Sequence, residues 1–288
     1  MVSLFRCPLC AAPLEREPQS YRCPTGHCFD RAAQGYTHLL PANRKHSKNP
    51  GDDKEMVAAR AAFLERGHYA PLLNALCDLV KRETAPLSAP VLLDSGCGEG
   101  YYTAGLSRAL TAAGQTPQSA GVDISKWAVR RAAKRLPDGE FAVASVYHLP
   151  LADASADVVT NVFSPLAAEE FLRVLRPGGL FVYVVPSALH LWELKQVLYA
   201  KPYQNAVKQE TYPGFAWQGS IPVRYVLSLD DPADIMALFG MTPYAWKTPR
   251  EGVERLKKLD RLETKIEFDI HWYRKISSHF KHKHKGEP

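Results

Sequence analysis

The chain has 288 residues, 46% of them hydrophobic, and a formal net charge of +6. That is enough apolar material for one large domain or a main domain with a small satellite. No run approaches the length of a membrane-spanning helix, so a cytoplasmic protein with no membrane partner is expected. Residues 1–50 hold seven Lys/Arg against three Asp/Glu, residues 51–200 fourteen against sixteen, and the tail from Lys265 six against three. Basic ends around a near-neutral middle suit a polyanionic partner, but a solvated surface explains them almost as well, so charge alone assigns nothing.

Four of the six cysteines lie within residues 7–28. Clustered thiols in a chain of this kind point to metal rather than disulfides. Cys7-Pro8-Leu9-Cys10 is followed, after twelve residues, by Cys23-Pro24-Thr25-Gly26-His27-Cys28. Each two-residue or three-residue gap lets one tight turn present two ligands, and four ligands close a tetrahedral zinc site with no open position, a structural rather than catalytic site. His27 and Cys28 are adjacent, and only one easily completes the tetrahedron. Thiolate is the stronger ligand, while the spacing is silent.

A short strand-rich stretch from Phe29 to Pro41 is expected next, closing a zinc-binding domain over 1–42. Residues 43–54 form a basic linker closed by Pro50-Gly51. A larger body then fills 55–288. Within it, Asp53 to Gly67 has helical periodicity with Asp52 or Asp53 as N-cap, and Tyr69 to Glu83 makes a second helix.

Val91-Leu92-Leu93-Asp94 reads as a buried strand that runs into Ser95-Gly96-Cys97-Gly98-Glu99-Gly100, with a helix over Thr103–Ala113 behind it. A strand feeding a glycine turn into a helix brings backbone amides close to a nucleotide-like ligand. The dinucleotide fingerprint needs glycine at 101, where this chain has tyrosine, and Glu99 faces a pyrophosphate badly. S-adenosylmethionine carries a sulfonium and an ammonium instead of phosphates, so Asp94 and Glu99 beside Gly96, Gly98 and Gly100 suit it. The remaining strands are expected at Ser119–Asp123, Phe141–Ala144, Asp157–Val162 and Leu180–Val185, with helices Lys126–Leu136 and Glu169–Leu175 between them. This is the alternation of an α/β doubly wound sheet. Asp123 ends the second strand, where an acid accepts hydrogen bonds from ribose hydroxyls; the competing role is a helix N-cap.

No cysteine is placed as a pyrimidine nucleophile, and Asn161-Val162-Phe163-Ser164-Pro165 departs from the Asn/Asp-Pro-Pro-aromatic pattern of exocyclic amine sites. A ring nitrogen or an oxygen remains as acceptor. His190 follows the fifth strand closely enough to reach the cleft, as a proton acceptor or as a contact to cofactor. Tyr203, Tyr212, Phe215, Trp217, Tyr244 and Trp246 are candidate stacking rings for an unpaired base, and equally candidate core residues. Lys265–Tyr273 alternates into a last strand, and His282-Lys283-His284-Lys285 reads as a basic tail.

These residues together resemble one family, the bacterial 23S ribosomal RNA guanine-N1 methyltransferases. The resemblance runs through the Cys-Pro-Leu-Cys knuckle, Asn49-Pro50-Gly51-Asp52, Gly67-His68-Tyr69, the glycine turn with Tyr101-Tyr102, His190-Leu191 and Met241-Thr242-Pro243-Tyr244. It implies a Rossmann-like class I fold with a small zinc-binding domain, methyl transfer from S-adenosylmethionine to N1 of a hairpin-loop guanine in 23S rRNA, and a homodimer. It also implies zinc on Cys7, Cys10, Cys23 and His27, and cofactor contacts from Tyr69, Gly98, Glu99 and His190. Asn49-Pro50-Gly51-Asp52 looks more like the Gram-negative housekeeping branch than the macrolide-resistance branch. No general base is identified. The competing reading is a small-molecule methyltransferase with a structural zinc site.

Overall fold

The computed structural model describes residues 2–44, 50–206 and 211–277. Lys45–Asn49 of the basic linker and the His282–Lys285 tail lie outside them. The first four strands, β1 (Val2–Arg6), β2 (Pro13–Arg16), β3 (Ser20–Arg22) and β4 (Cys28–Asp30), form an antiparallel sheet in sequence order. The next, β5 (Tyr36–His38), leaves that sheet.

Val91 to Ser95 is buried at every position, as a central strand covered on both faces must be. This is β6, flanked by β7 (Gln118–Asp123) and β9 (Ala156–Val162), both parallel to it. Outward from β7 lies β8 (Glu140–Val143); outward from β9 lie β10 (Leu175–Pro186), β12 (Leu262–Lys275) and β11 (Phe215–Leu229), the last two antiparallel. The strand β5 adds parallel to β8, pairing Tyr36 with Phe141, so the eight-stranded sheet has an edge strand from the N-terminal segment. The order reverses at β6, whose neighbours β7 and β9 follow it on opposite sides. Loops at the carboxyl ends of these three strands therefore part and leave a crevice.

Helices follow the expected boundaries closely. In α1 (Lys54–Glu65), Asp53 Oδ1 accepts from the Met56 amide at 2.8 Å, and α2 (Ala70–Thr84) follows directly. The helix α3 (Tyr101–Ala112) starts two residues earlier than expected because left-handed Gly100 (φ 78°) is its N-cap. The N-cap of α4 (Lys126–Arg135) is Ser125 rather than Asp123. Further on lie α5 (Ala168–Val174), α6 (Trp192–Leu198), α7 (Pro232–Gly240) and α8 (Arg250–Leu256). Strand β10 begins at Leu175, ahead of the expected Leu180. The Arg176–Gly179 turn is a register break within it.

Strand β11 pairs with β12 from Phe215↔Lys275 to Leu229↔Leu262, a long edge strand that the sequence reading did not foresee. Phe215, Tyr212 and Tyr273 cluster around Phe181, so Phe215 and Tyr212 are core rings. Trp217, Trp246 and Tyr203 are exposed.

The N-terminal sheet is seated on the body by backbone and apolar contacts. Ser3 and the Leu4 amide donate to Glu140, the latter at 3.0 Å, and the Arg6 amide donates to Pro150 O at 2.8 Å. Phe5, Leu14 and Tyr21 share one buried cluster with Leu93, Val122 and Ala142. Among the described residues no helix is long and apolar enough to cross a membrane.

Candidate active site and metal centre

The two cysteine turns fold back so that one ligand atom from each of Cys7, Cys10, Cys23 and His27 lies within 4.8 Å of the others. In the first, the Ala11 amide donates to Cys7 O at 2.8 Å, with Ala11 itself left-handed (φ 60°). In the second, the Gly26 amide donates to Cys23 O at 3.0 Å through a left-handed Gly26 (φ 91°). Cys10 Sγ is 3.8 Å from Cys23 Sγ, and His27 Nδ1 is 3.5 Å from Cys7 Sγ and 3.4 Å from Cys23 Sγ. A tetrahedron with metal–sulfur bonds of about 2.3 Å has sulfur–sulfur edges of about 3.8 Å, so the four groups are spaced as zinc requires. Thr25 Oγ1, at 3.1 Å from Cys10 Sγ and 3.0 Å from Cys23 Sγ, supplies a donor to the thiolates. Cys28 lies outside the cluster, exposed on β4.

The crevice at the sheet reversal holds two cavities. The first, about 340 Å³, is lined by Gly96, Gly98, Glu99 and Asp123, with Gly51 and Asp52 across from them and Ser145–Tyr147 at one side. Asp123 accepts from the Gly98 amide at 3.0 Å and the Ser125 amide at 2.8 Å; burial pushes its carboxyl up and those two amides draw it back. A Cβ built on Gly98 (φ +55°) would meet none of the described residues within 4 Å, so that backbone is bare toward the cavity. Gly100 is constrained differently: a Cβ there would lie 2.8 Å from Ala132 Cα of α4. Asp94 lines neither cavity. It sits beneath the turn, accepting from Thr103 Oγ1 at 2.5 Å and Thr160 Oγ1 at 3.0 Å, and burial raises it to about 6 against those two donors.

Glu99 is buried, which raises its pKa, while Arg60 of α1 draws it down. Arg60 Nε lies 3.2 Å from Glu99 Oε2, and its Nη2 pairs with Asp52. The first cavity thus carries three carboxylates, Asp52, Glu99 and Asp123, against Arg60. That surplus suits a cationic ligand and repels a pyrophosphate. The linker is pinned over this cavity: Ser125 Oγ donates to Asp52 O at 2.6 Å.

The second cavity, about 520 Å³, shares Asp52, Arg60, Leu64, Tyr102, Phe163 and Ser164 with the first. It adds Tyr69, Tyr183, His190, Asn205, Tyr244 and Phe268. His190 packs on Phe268 with ring centroids 4.4 Å apart, and burial, helped by Lys195 and Arg224, lowers its pKa to about 3. Its Nδ1 accepts from the Glu267 amide at 3.2 Å. A neutral imidazole with Nδ1 accepting carries its proton on Nε2, so His190 is a donor and not a proton acceptor. Tyr102 is nine-tenths or more buried, and its hydroxyl has no partner among the described residues.

Residues 5–48 match the family model for the zinc ribbon described as RlmA, N-terminal, and residues 93–183 match that of a methyltransferase domain. The chain is 37% identical over 265 residues to the 23S rRNA (guanine(748)-N(1))-methyltransferase of Streptomyces fradiae, covering 90% of this chain and 92% of that one. The chain belongs to the 23S rRNA (guanine-N1)-methyltransferase family. Two candidate members resemble it as closely. One from Micromonospora griseorubida is 38% identical over 85% of this chain and 87% of its own, and one from Bacillus subtilis is 34% identical over 93% and 96%. This is a class I methyltransferase whose cofactor is S-adenosylmethionine and whose ribbon takes zinc.

Of the residues singled out in the sequence, Gly96, Gly98, Glu99 and Asp123 come together at the first cavity and Tyr69 and His190 at the second. Asp94 and Gly100 support the turn from behind. Sequence reasoning gave no role to Arg60, Tyr102 or Phe163, and Tyr102 entered it only as part of the family resemblance. Phe163 lies in a stretch inspected only for a pattern it lacks. Arg60 sits in an unremarkable helix, and only folding brings it between Asp52 and Glu99.

Proposed function

We propose that this protein transfers a methyl group from S-adenosylmethionine to N1 of a guanine in a hairpin loop of 23S rRNA, in the cytoplasm and as a homodimer. The observation that carries the reading is the pair of joined cavities, one acid-lined beside a bare glycine turn, the other ringed by aromatic side chains. In this reading the ribbon (1–42) and the linker (43–54) present RNA to the body (55–288). Asp123 would accept from the ribose hydroxyls, and the backbone at Gly96 and Gly98 would lie along the cofactor, with Glu99 beside it. Tyr69 and the Nε2–H of His190 would donate to its carboxylate end. Bound there, the cofactor supplies an electrophilic methyl on sulfur, a reaction that depends chiefly on alignment.

The base would enter the second cavity. Phe163 stands between the cavities, 46% exposed, with a left-handed backbone (φ 55°) that a phenylalanine adopts only at a cost. Backbone strain of that kind, at the junction of two cavities, supports a role in holding the base. Asp52 is the one carboxylate lining the second cavity among the described residues, and it is paired with Arg60. With His190 a donor, the guanine proton leaves through solvent or through Asp52.

Incubation with labelled S-adenosylmethionine and 23S rRNA from a strain lacking the modification tests this. Label at a guanine Watson–Crick edge, seen as a reverse-transcription stop, is expected. Label in small metabolites and none in RNA would replace the reading with a small-molecule methyltransferase. We place the chain in the housekeeping branch on Asn49-Pro50-Gly51-Asp52, and the position of the stop within the loop decides that.

A further inference from the structure

The face of α4 turned away from the sheet is built only from cations and one indole. Lys126, Arg130, Arg131 and Lys134 are exposed, Trp127 is half-buried among them, and the ten-residue helix contains no acid. With Lys54 of α1, four of these residues (Trp127, Arg130, Arg131, Lys134) line a groove of about 530 Å³, outside both cavities already described. Lys126 Nζ lies over the Trp127 ring, 4.8 Å from its centroid. None of the five cations has an ion-pair partner among the described residues. By contrast Arg135, on the same helix, donates to Glu65 at 2.6 Å and to Glu99 O at 3.2 Å.

This arrangement works against the helix that carries it. Lys126–Arg130 and Arg130–Lys134 are like-charge pairs four residues apart, each costing about 0.2–0.5 kcal/mol, and Lys126 faces the positive end of the helix dipole. A merely solvated face gains from alternating signs, and an acid at 130 or 131 would supply that. The groove is also tied to the catalytic crevice. Ser125, the N-cap of α4, is two residues from Asp123 and binds Asp52 O, which fixes Lys54 of α1 beside the start of α4. The helix, roughly 15 Å long, therefore leads a row of cations to the rim of the cofactor cavity.

We propose that this α1–α4 groove is a docking surface for the sugar–phosphate backbone of RNA flanking the target base. The proposal rests on the function proposed above. Its cations would contact phosphates without reading sequence, so they set affinity and position, and the cavities select the base.

The test uses the full-length protein and its double variant Arg130→Glu/Arg131→Glu. Binding of a labelled 23S rRNA hairpin fragment, and of an unrelated RNA duplex of equal length, is followed by anisotropy over a series of salt concentrations. The variant should bind both RNAs at least about tenfold more weakly, with a salt slope shallower by about two. S-adenosylmethionine affinity should not change. The melting temperature should hold or rise, because the reversed charges gain partners at Lys126 and Lys134; a structural role for the arginines would lower it. Unchanged RNA affinity and salt slope would overturn the docking surface even if the wild type methylates 23S rRNA. If the wild type methylates no RNA, the proposed function fails, and the binding comparison still decides the groove. No RNA binding by the wild type would sink both.

Discussion

The metal centre and the glycine turn both hold a small charged group at the end of a tight bend, by opposite means. In the ribbon the side chains are the site. Three thiols and an imidazole converge, and the backbone only has to turn sharply enough to let them. At the glycine turn the missing side chains are the site. Gly98 leaves the backbone bare toward the cavity, Gly100 lets α3 lie against α4, and Asp52, Glu99 and Asp123 line the cavity beside them. A site made of side chains should fail through loss of a ligand, whereas one made of backbone should fail through a gain of atoms.

The largest effect expected is on the ribbon. Zinc contributes about 10–16 kcal/mol to folding of small zinc domains, so Cys7→Ser with Cys23→Ser should abolish metal binding, as should His27→Ala. Metal content by mass spectrometry and affinity for a 23S rRNA fragment should fall together, while S-adenosylmethionine affinity stays within about threefold. Cys28→Ala should leave the metal content at one per chain. Loss of zinc from that variant, or its retention in His27→Ala, would exchange the fourth ligand.

At the glycine turn two substitutions should separate cleanly. Gly100→Ala forces a methyl to 2.8 Å from Ala132 Cα and should cost about 1–3 kcal/mol of stability, read as a lowered melting temperature. Gly98→Ala meets no atom of the described residues within 4 Å. Its left-handed backbone costs about 1–2 kcal/mol at most, and its main effect should be a loss of S-adenosylmethionine affinity of tenfold or more. Equal affinity loss in both variants, with equal destabilisation, would mean that the turn acts as one rigid unit.

The same difference decides what could be read before folding. Cys7, Cys10 and Cys23 announce themselves by chemistry and spacing, His27 was preferred to Cys28 only through the family resemblance, and the alternation of strands and helices pointed to a doubly wound sheet. The glycines announced a ligand, and the acid beside them its charge. Hidden from the sequence were the residues whose role depends on distant partners. Arg60 needs Asp52 and Glu99, and Asp94 turned beneath the turn because Thr103 and Thr160 meet it there. Strand β11 was missed because an edge strand with Pro222, Arg224 and Gly219 lacks the unbroken apolar run of a central one. Its partner β12 lies beyond two intervening helices.

His190 gives a pH-dependent contrast to the ribbon histidine. Its pKa is lowered from 6.5 to about 3 by burial, so the folded state takes up its proton less readily than the unfolded chain. The stability it contributes is present above pH 6.5 and is lost as pH falls through that value toward 3, amounting to about 2 kcal/mol by pH 5. Denaturant unfolding of wild type and His190→Gln should therefore converge as the buffer is taken from pH 7 to pH 5. A difference that stays constant over that range would mean the imidazole is charged in the folded protein.

Phe163 should show the smallest change in stability and the clearest split between stability and activity. Its left-handed backbone is relieved by Phe163→Asn, since asparagine adopts that conformation readily, a gain of about 1 kcal/mol. The change also removes a ring whose centroid lies 4.9 Å from that of Phe268, a loss of about 0.5–1.5 kcal/mol. The two nearly cancel, so the melting temperature should move little. Turnover on 23S rRNA should nevertheless fall at least tenfold while S-adenosylmethionine affinity is kept, and Phe163→Tyr should restore most of it. If Phe163→Asn loses cofactor affinity in the same proportion as turnover, the ring belongs to the cofactor cavity. It would then complete the glycine turn with the side chain that the turn itself excludes.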